Sequence, residues 1–133
     1  MKMVVRNFNK LKDLEILNSI CIDRNLSTID PEMLSDFGFI VSNIAFGWLY
    51  PTLTSNLCII ENVIVNKNFE YELRNEALNM LFKQLHSTAK TLGCKYIKNS
   101  VGNASMKNRL EKLGYTKIET NVNTYLGVIS CLG

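Results

Sequence analysis

Glu61 stands inside an apolar, β-branched run, Leu57–Val65 (LCIIENVIV). A carboxylate held in such a run loses hydration. Lost hydration raises its pKa toward values at which a general base works near neutral pH. On a strand of period two, Glu61 shares its face with Val63 and Val65. A plainer reading weighs more: a strand-end carboxylate, paired with a lysine or facing solvent. Lys67 and Arg74 are cations suited to phosphate, and both also suit an exposed helix start. His86 lies beside the apolar stripe of a helix and reads as a half-exposed surface residue. The four cysteines, Cys21, Cys58, Cys94 and Cys131, form no C-x-x-C pair, and none stands near His86 in sequence, so a metal site has no support. Cys58 and Cys94 lie in apolar runs and are expected as buried, reduced thiols. No secretory leader and no membrane-length apolar stretch is read, so the cytoplasm is the expected compartment.

The elements that must position Glu61 follow from a chain of 133 residues, the size of one domain. With 47% apolar and 20% charged residues, it belongs to the globular class and not to the disordered one. A net charge of +3 with scattered Lys and Arg suits an anionic small molecule. It lacks the basic stripe of a nucleic-acid binder. The richness in Asn, Lys and Ile is compatible with an AT-rich bacterial or phage genome.

Residues 3–6 predict a short strand, and residues 10–24 carry Leu11, Leu14, Leu17, Ile20 and Cys21 at helical spacing. Asp30-Pro31-Glu32 predicts a helix start within residues 27–37, stopped by Gly38. Residues 39–41, a Ser42-Asn43 turn and residues 44–50 predict two strands, and residues 51–56 a turn. Leu57–Val65 predicts a central strand covered on both faces. A long helix follows, from residue 69 or 72 to residue 92. Its stripe is Ala77, Leu78, Leu81, Phe82, Leu85, Ala89 and Leu92, and Gly93 stops it. Residues 95–101 predict a strand and residues 103–113 a helix ended by Gly114. Residues 115–120 and 124–129 predict a closing hairpin. The order, β-α-α-β-β-β-α-β-α-β-β, implies a single α/β domain over residues 1–133, with a mixed sheet and helices on both faces.

The second half carries Ala89-Lys90-Thr91-Leu92-Gly93-Cys94-Lys95, then Asn103, then Leu110-Glu111-Lys112-Leu113-Gly114-Tyr115. Over residues 59–118 this spacing resembles the GNAT superfamily of acyl-CoA-dependent N-acyltransferases, and the N-terminal half agrees in element order. The resemblance implies that the central strand and its neighbour splay apart. The backbone of Val63 and Val65 would then pair with the amide arm of acetyl-CoA, like an added strand. It also implies a pyrophosphate at the N-terminus of the long helix and a polar cofactor contact from Asn103.

The chain departs from the family at two places. The family's phosphate loop, R/Q-x-x-G-x-G/A, has no glycine counterpart in NFEYELRNEALN. A gapped alignment places Arg74, Asn75 and Ala77 on it as cofactor-binding residues. It expects an open loop up to Arg74 with the N–H groups of residues 75–77 free. An ungapped alignment sets residues 70–75 there, with an earlier helix start and the carboxylates of Glu70 and Glu72 at the anion site. The first is preferred, since it keeps the arginine and a small residue. The family's frequent tyrosine acid is Leu110 here, and Tyr115 or Tyr125 are candidate replacements. Phe46, Trp48 and Tyr50 suit either an acceptor pocket or core plus a strand edge.

Two functions follow. One is an N-acetyltransferase with Glu61 as base, acting on a primary amine of a small molecule or protein. The other is a degenerate GNAT-fold binding module acting through a protein partner. No membrane or nucleic-acid partner is expected, and a homodimer is among the open oligomeric states.

Overall fold

The computed structural model describes residues 2–101, 103–119 and 129–131. They fall into two compact units, residues 1–100 and 101–133. In the first unit the order is β1 (Val5–Asn7), α1 (Leu14–Asp23), a 3₁₀ turn (Pro31–Met33), β2 (Phe37–Val41), β3 (Ala45–Pro51), β4 (Leu57–Val65), α2 (Tyr71–Thr91) and β5 (Tyr96–Asn99). The strands form one mixed sheet in the order β1-β2-β3-β4-β5. The first four are mutually antiparallel, and β5 pairs with β4 in parallel. The second unit contains α3 (Ala104–Lys112) and a 3₁₀ turn, Ile129–Cys131. Of the expected closing hairpin, residues 115–119 form no strand and Ile129 opens the 3₁₀ turn instead, while the rest lies outside the described residues.

Within the first unit, α1 packs on one sheet face and α2 on the other. Leu17, Ile20 and Cys21 of α1 pack with Ile40, Phe46, Trp48 and Ile64. On the other face Leu81 and Leu85 of α2 close over Gly47. The α2 stripe read from the sequence holds: Ala77, Leu78, Leu81, Phe82, Leu85 and Ala89 are all buried. Leu92, expected to continue it, is exposed beyond the helix end. Gly93 takes φ +82° there, a conformation that side chains with a Cβ resist. No helix among the described residues is long and apolar enough to cross a membrane.

The helix expected within residues 27–37 is a single 3₁₀ turn. Asp30 does cap it, accepting from the Glu32 N–H at 2.9 Å. The turn then stops, because β3 holds the segment in place. Tyr50 Oη donates to the Met33 carbonyl at 3.0 Å, and Ser35 Oγ donates to the Leu49 carbonyl at 2.6 Å. Gly38 is no helix stop. It lies in β2 opposite Trp48, whose indole covers the place a Cβ would take.

Cys58 and Cys94, expected as thiols, are joined in a disulfide with Cα atoms 6.1 Å apart. Cys94 follows the Gly93 turn and precedes β5, whose Ile97 lies opposite Cys58. The sheet pairing thus brings together two cysteines that lie 36 residues apart in sequence.

The start of α1 rests on an ion pair. The Arg6 guanidinium meets both oxygens of buried Asp13 at 2.7 and 2.8 Å, and Asp13 also accepts from the Asn9 N–H at 2.8 Å. The Arg6 hydrogen bonds hold the Asp13 carboxyl below its ordinary pKa. Such a carboxylate adds stability that is complete above its unfolded-state pKa and is lost as pH falls through the folded-state value. Asp13→Asn should therefore reduce stability at neutral pH by about 1.5–3 kcal/mol, the range for hydrogen bonds to charged groups. The loss should shrink toward zero in acid, as denaturant melts across pH would show. An equal loss at pH 2 and pH 7 would contradict the assignment.

Candidate active site

The ladder between β4 and β5 has four pairs, Leu57↔Tyr96 to Ile60↔Asn99. There β5 ends, while β4 runs on to Val65. Among the described residues no strand pairs that edge of β4 from Glu61 onward, as expected of a splay between the two strands. The N–H of Asn66 bonds across to the Ile44 carbonyl on the β3 side at 2.7 Å. Backbone groups of an antiparallel strand alternate in direction, so those of Val65 point to the open edge. Arg24 Nη1 donates to the Val65 carbonyl there at 3.4 Å.

A β-bulge sits at the fork. Glu61 is opposite Trp48 and Ile64 is opposite Phe46, so Asn62 and Val63 together face Gly47. Asn62 takes φ +57°, a conformation that Asn tolerates better than most residues. The extra residue reverses the side-chain alternation. Before the bulge Glu61 lies on the α1 face with Trp48. After it Ile64 takes that face, and Val65 points with Ala45 to the α2 face. The expected shared face of Glu61 with Val63 and Val65 is thereby corrected. An Asn following Glu inside an apolar run was the available signal for such a bulge.

Around Glu61 the chemistry is polar and partly enclosed. Burial pushes the Glu61 carboxyl above its ordinary range, although the residue as a whole remains exposed. Burial also raises Tyr50, whose hydroxyl accepts from Asn62 Nδ2 at 3.1 Å and senses the nearby Glu61 charge. Phe46 and Trp48, weighed as pocket residues, are fully buried core, and Tyr50 alone of the three reaches the surface.

The expected open loop up to Arg74 is overturned. α2 starts at Tyr71 after a β-region Glu70, and the Arg74 N–H already bonds the Glu70 carbonyl at 3.0 Å. Asn75 and Ala77 thus lie inside the helix, where the i to i−4 ladder takes their N–H groups. Ala77 is fully buried. Arg74 lies with its guanidinium carbon 5.9 Å from the Tyr71 ring centroid, and its Nε is buried without a hydrogen-bond partner. The first-turn N–H groups belong to Tyr71, Glu72 and Leu73, flanked by the Glu70 and Glu72 carboxylates. Helix propensity in a stretch without glycine explains the early start.

In the second unit Asn103 caps α3, its Oδ1 accepting from the Met106 N–H at 2.8 Å. Leu110 is buried. Burial pushes the Tyr115 phenol up to about 12, so it stays protonated throughout the neutral range. Tyr125 lies outside the described residues. His86, held below its ordinary pKa by burial, packs 6.0 Å from Phe82. Among the described residues no group of three His, Cys, Asp or Glu could hold a metal ion.

No family model and no curated protein matches the sequence. Solved structures do match. One is AAC(6')-Iy in complex with the bisubstrate analogue CoA-S-monomethyl-acetylneamine, with TM-score 0.70, 15% identity, and coverage of 96% of this chain and 100% of that one. A probable acetyltransferase from methicillin-resistant Staphylococcus aureus matches with TM-score 0.70 and 12% identity, over 96% and 100% of the two chains. Glucosamine-6-phosphate N-acetyltransferase from Arabidopsis thaliana matches with TM-score 0.60 and 16% identity, also over 96% and 100%.

Proposed function

We propose that this chain, which has the GNAT acetyltransferase fold, is a single-domain N-acetyltransferase that uses acetyl-CoA and a primary amine of a small molecule or protein. The observation that carries this reading is the fork: β4 loses its β5 partner after Ile60, and Glu61 with its raised pKa stands at that point. The open edge fits an amide arm, which would lie along the backbone of Val63 and Val65. Acetyl-CoA supplies an acyl group already activated as a thioester. As the amine nitrogen bonds the acyl carbon and the C–S bond breaks, Glu61 accepts the amine proton, directly or through one water, and the departing thiolate takes its proton from solvent. The bulge at Asn62 leaves backbone groups outside the ladder, where an N–H can polarise a carbonyl.

A second reading is a GNAT-fold binding module that works through a protein partner. It is favoured by Leu110 at the family's tyrosine position and by carboxylates at the start of α2. Melting curves with CoA separate the two. A ligand at a hundredfold its Kd adds about 2.7 kcal/mol to the folded state, so CoA should raise the melting temperature by several degrees. No shift at millimolar CoA overturns the enzyme and leaves the module. Native mass spectrometry of the same sample reads the oligomer, for which a homodimer is the open alternative to a monomer.

A further inference from the structure

We propose that Arg24 and Lys67 build a phosphate-binding pocket at the C-terminal end of β4, in place of the missing glycine loop. This rests on the acetyl-CoA reading of the β4 edge. A cavity of about 320 Å³ opens there, lined by Asp23, Arg24 and Asn25 from the end of α1 and by Asn66, Lys67 and Asn68 from the loop after β4. Its volume is at the lower end of the roughly 300–1,000 Å³ of ligand pockets.

Two turns shape the cavity. Asn25 takes φ +56° as the chain leaves α1, and Asn66 Oδ1 accepts from the Asn68 N–H at 3.0 Å, which sets Lys67 at the apex of its loop. Two cations line the cavity against one carboxylate, Asp23. Among the described residues neither cation is ion-paired. A guanidinium and an ammonium with free N–H groups suit phosphate oxygens.

The position also fits. An arm paired with β4 from the fork runs out of strand at Val65, and its phosphate end then meets residues 66–68. The N-terminus of α2 offers less, because Glu70 and Glu72 repel an anion there. Arg24 links arm and phosphate. Its single contact to the strand, 3.4 Å to the Val65 carbonyl, is long, and an arm that takes this carbonyl frees the guanidinium for phosphate. Asp23 and the negative end of the α1 dipole oppose the anion, so the affinity is modest and Asp23→Asn should tighten it.

Calorimetry with CoA, pantetheine and inorganic pyrophosphate tests the pocket. The Arg24→Ala/Lys67→Ala variant should bind CoA at least tenfold more weakly than wild type and pantetheine no more weakly, since the arm no longer competes with Arg24 for the Val65 carbonyl. Equal CoA affinity in the variant overturns the pocket and leaves the cofactor reading intact. If wild type binds no CoA, the cofactor reading fails, and pyrophosphate then decides the pocket. Pyrophosphate binding that the variant loses upholds it, and none by wild type overturns it. Circular dichroism of the variant confirms that the fold is retained.

Discussion

Glu61→Gln is expected to lower the rate of acetyl transfer by about 10²–10³-fold, within the range for removing a general base, with any amine that the wild type acetylates. The amide keeps the size of the carboxylate and its place at the fork, so the CoA-induced rise in melting temperature should persist. The pH profile separates a base from a packing residue. Below its pKa the Glu61 carboxyl holds a proton and cannot accept another. The wild-type rate therefore climbs with pH through that pKa, which burial places above the ordinary carboxylate range. The variant should lose this limb. A variant of wild-type rate, with the limb intact, would remove Glu61 from the chemistry.

Gly38→Ala is expected to destabilise the protein by about 3 kcal/mol, at the upper end of ordinary overpacking. A Cβ at this position would overlap the Trp48 indole ring. Trp48 cannot step aside easily. It is fully buried, and Phe8 meets it edge-on with ring centroids 4.9 Å apart. For a chain of this length the loss should lower the melting temperature by about 10 °C. Trp48→Leu opens space in the same place, so the double variant should lose less than the sum of the two single losses. A Gly38→Ala protein melting within about 2 °C of wild type would show that the indole does not need this glycine.

Much of the fold was legible because it rests on short-range rules. Leu57–Val65 is a strand over the span read from its β-branched run. The Ser42-Asn43 turn forms with φ of +48° and +57°, as a tight hairpin turn requires and as Asn tolerates. The 3.6-residue stripe of α2 marks its buried face, and Gly93 marks its end. Other expectations needed information that local pattern does not contain. Asp30-Pro31-Glu32 signals a helix start correctly, but the Tyr50 and Ser35 hydrogen bonds decide that only one turn survives. Arg74 and Ala77 imitate the residues of a phosphate loop, yet helix propensity carries α2 back to Tyr71.

By itself, then, the sequence determined the order of elements from β2 to α3, the central strand with its carboxylate and the stripe of the long helix. All three depend on neighbours within a few positions of one another. Only the tertiary structure decided which way Glu61 faces, why Gly38 must be small, that Cys58 meets Cys94, and that Arg24 reaches Val65. The physical reason is the same in each case. One extra residue at Asn62 inverts every later side chain on β4, and the position of a bulge depends on how β3 pairs with it. The other three are contacts between residues at least ten positions apart, and periodicity within one segment carries no record of them.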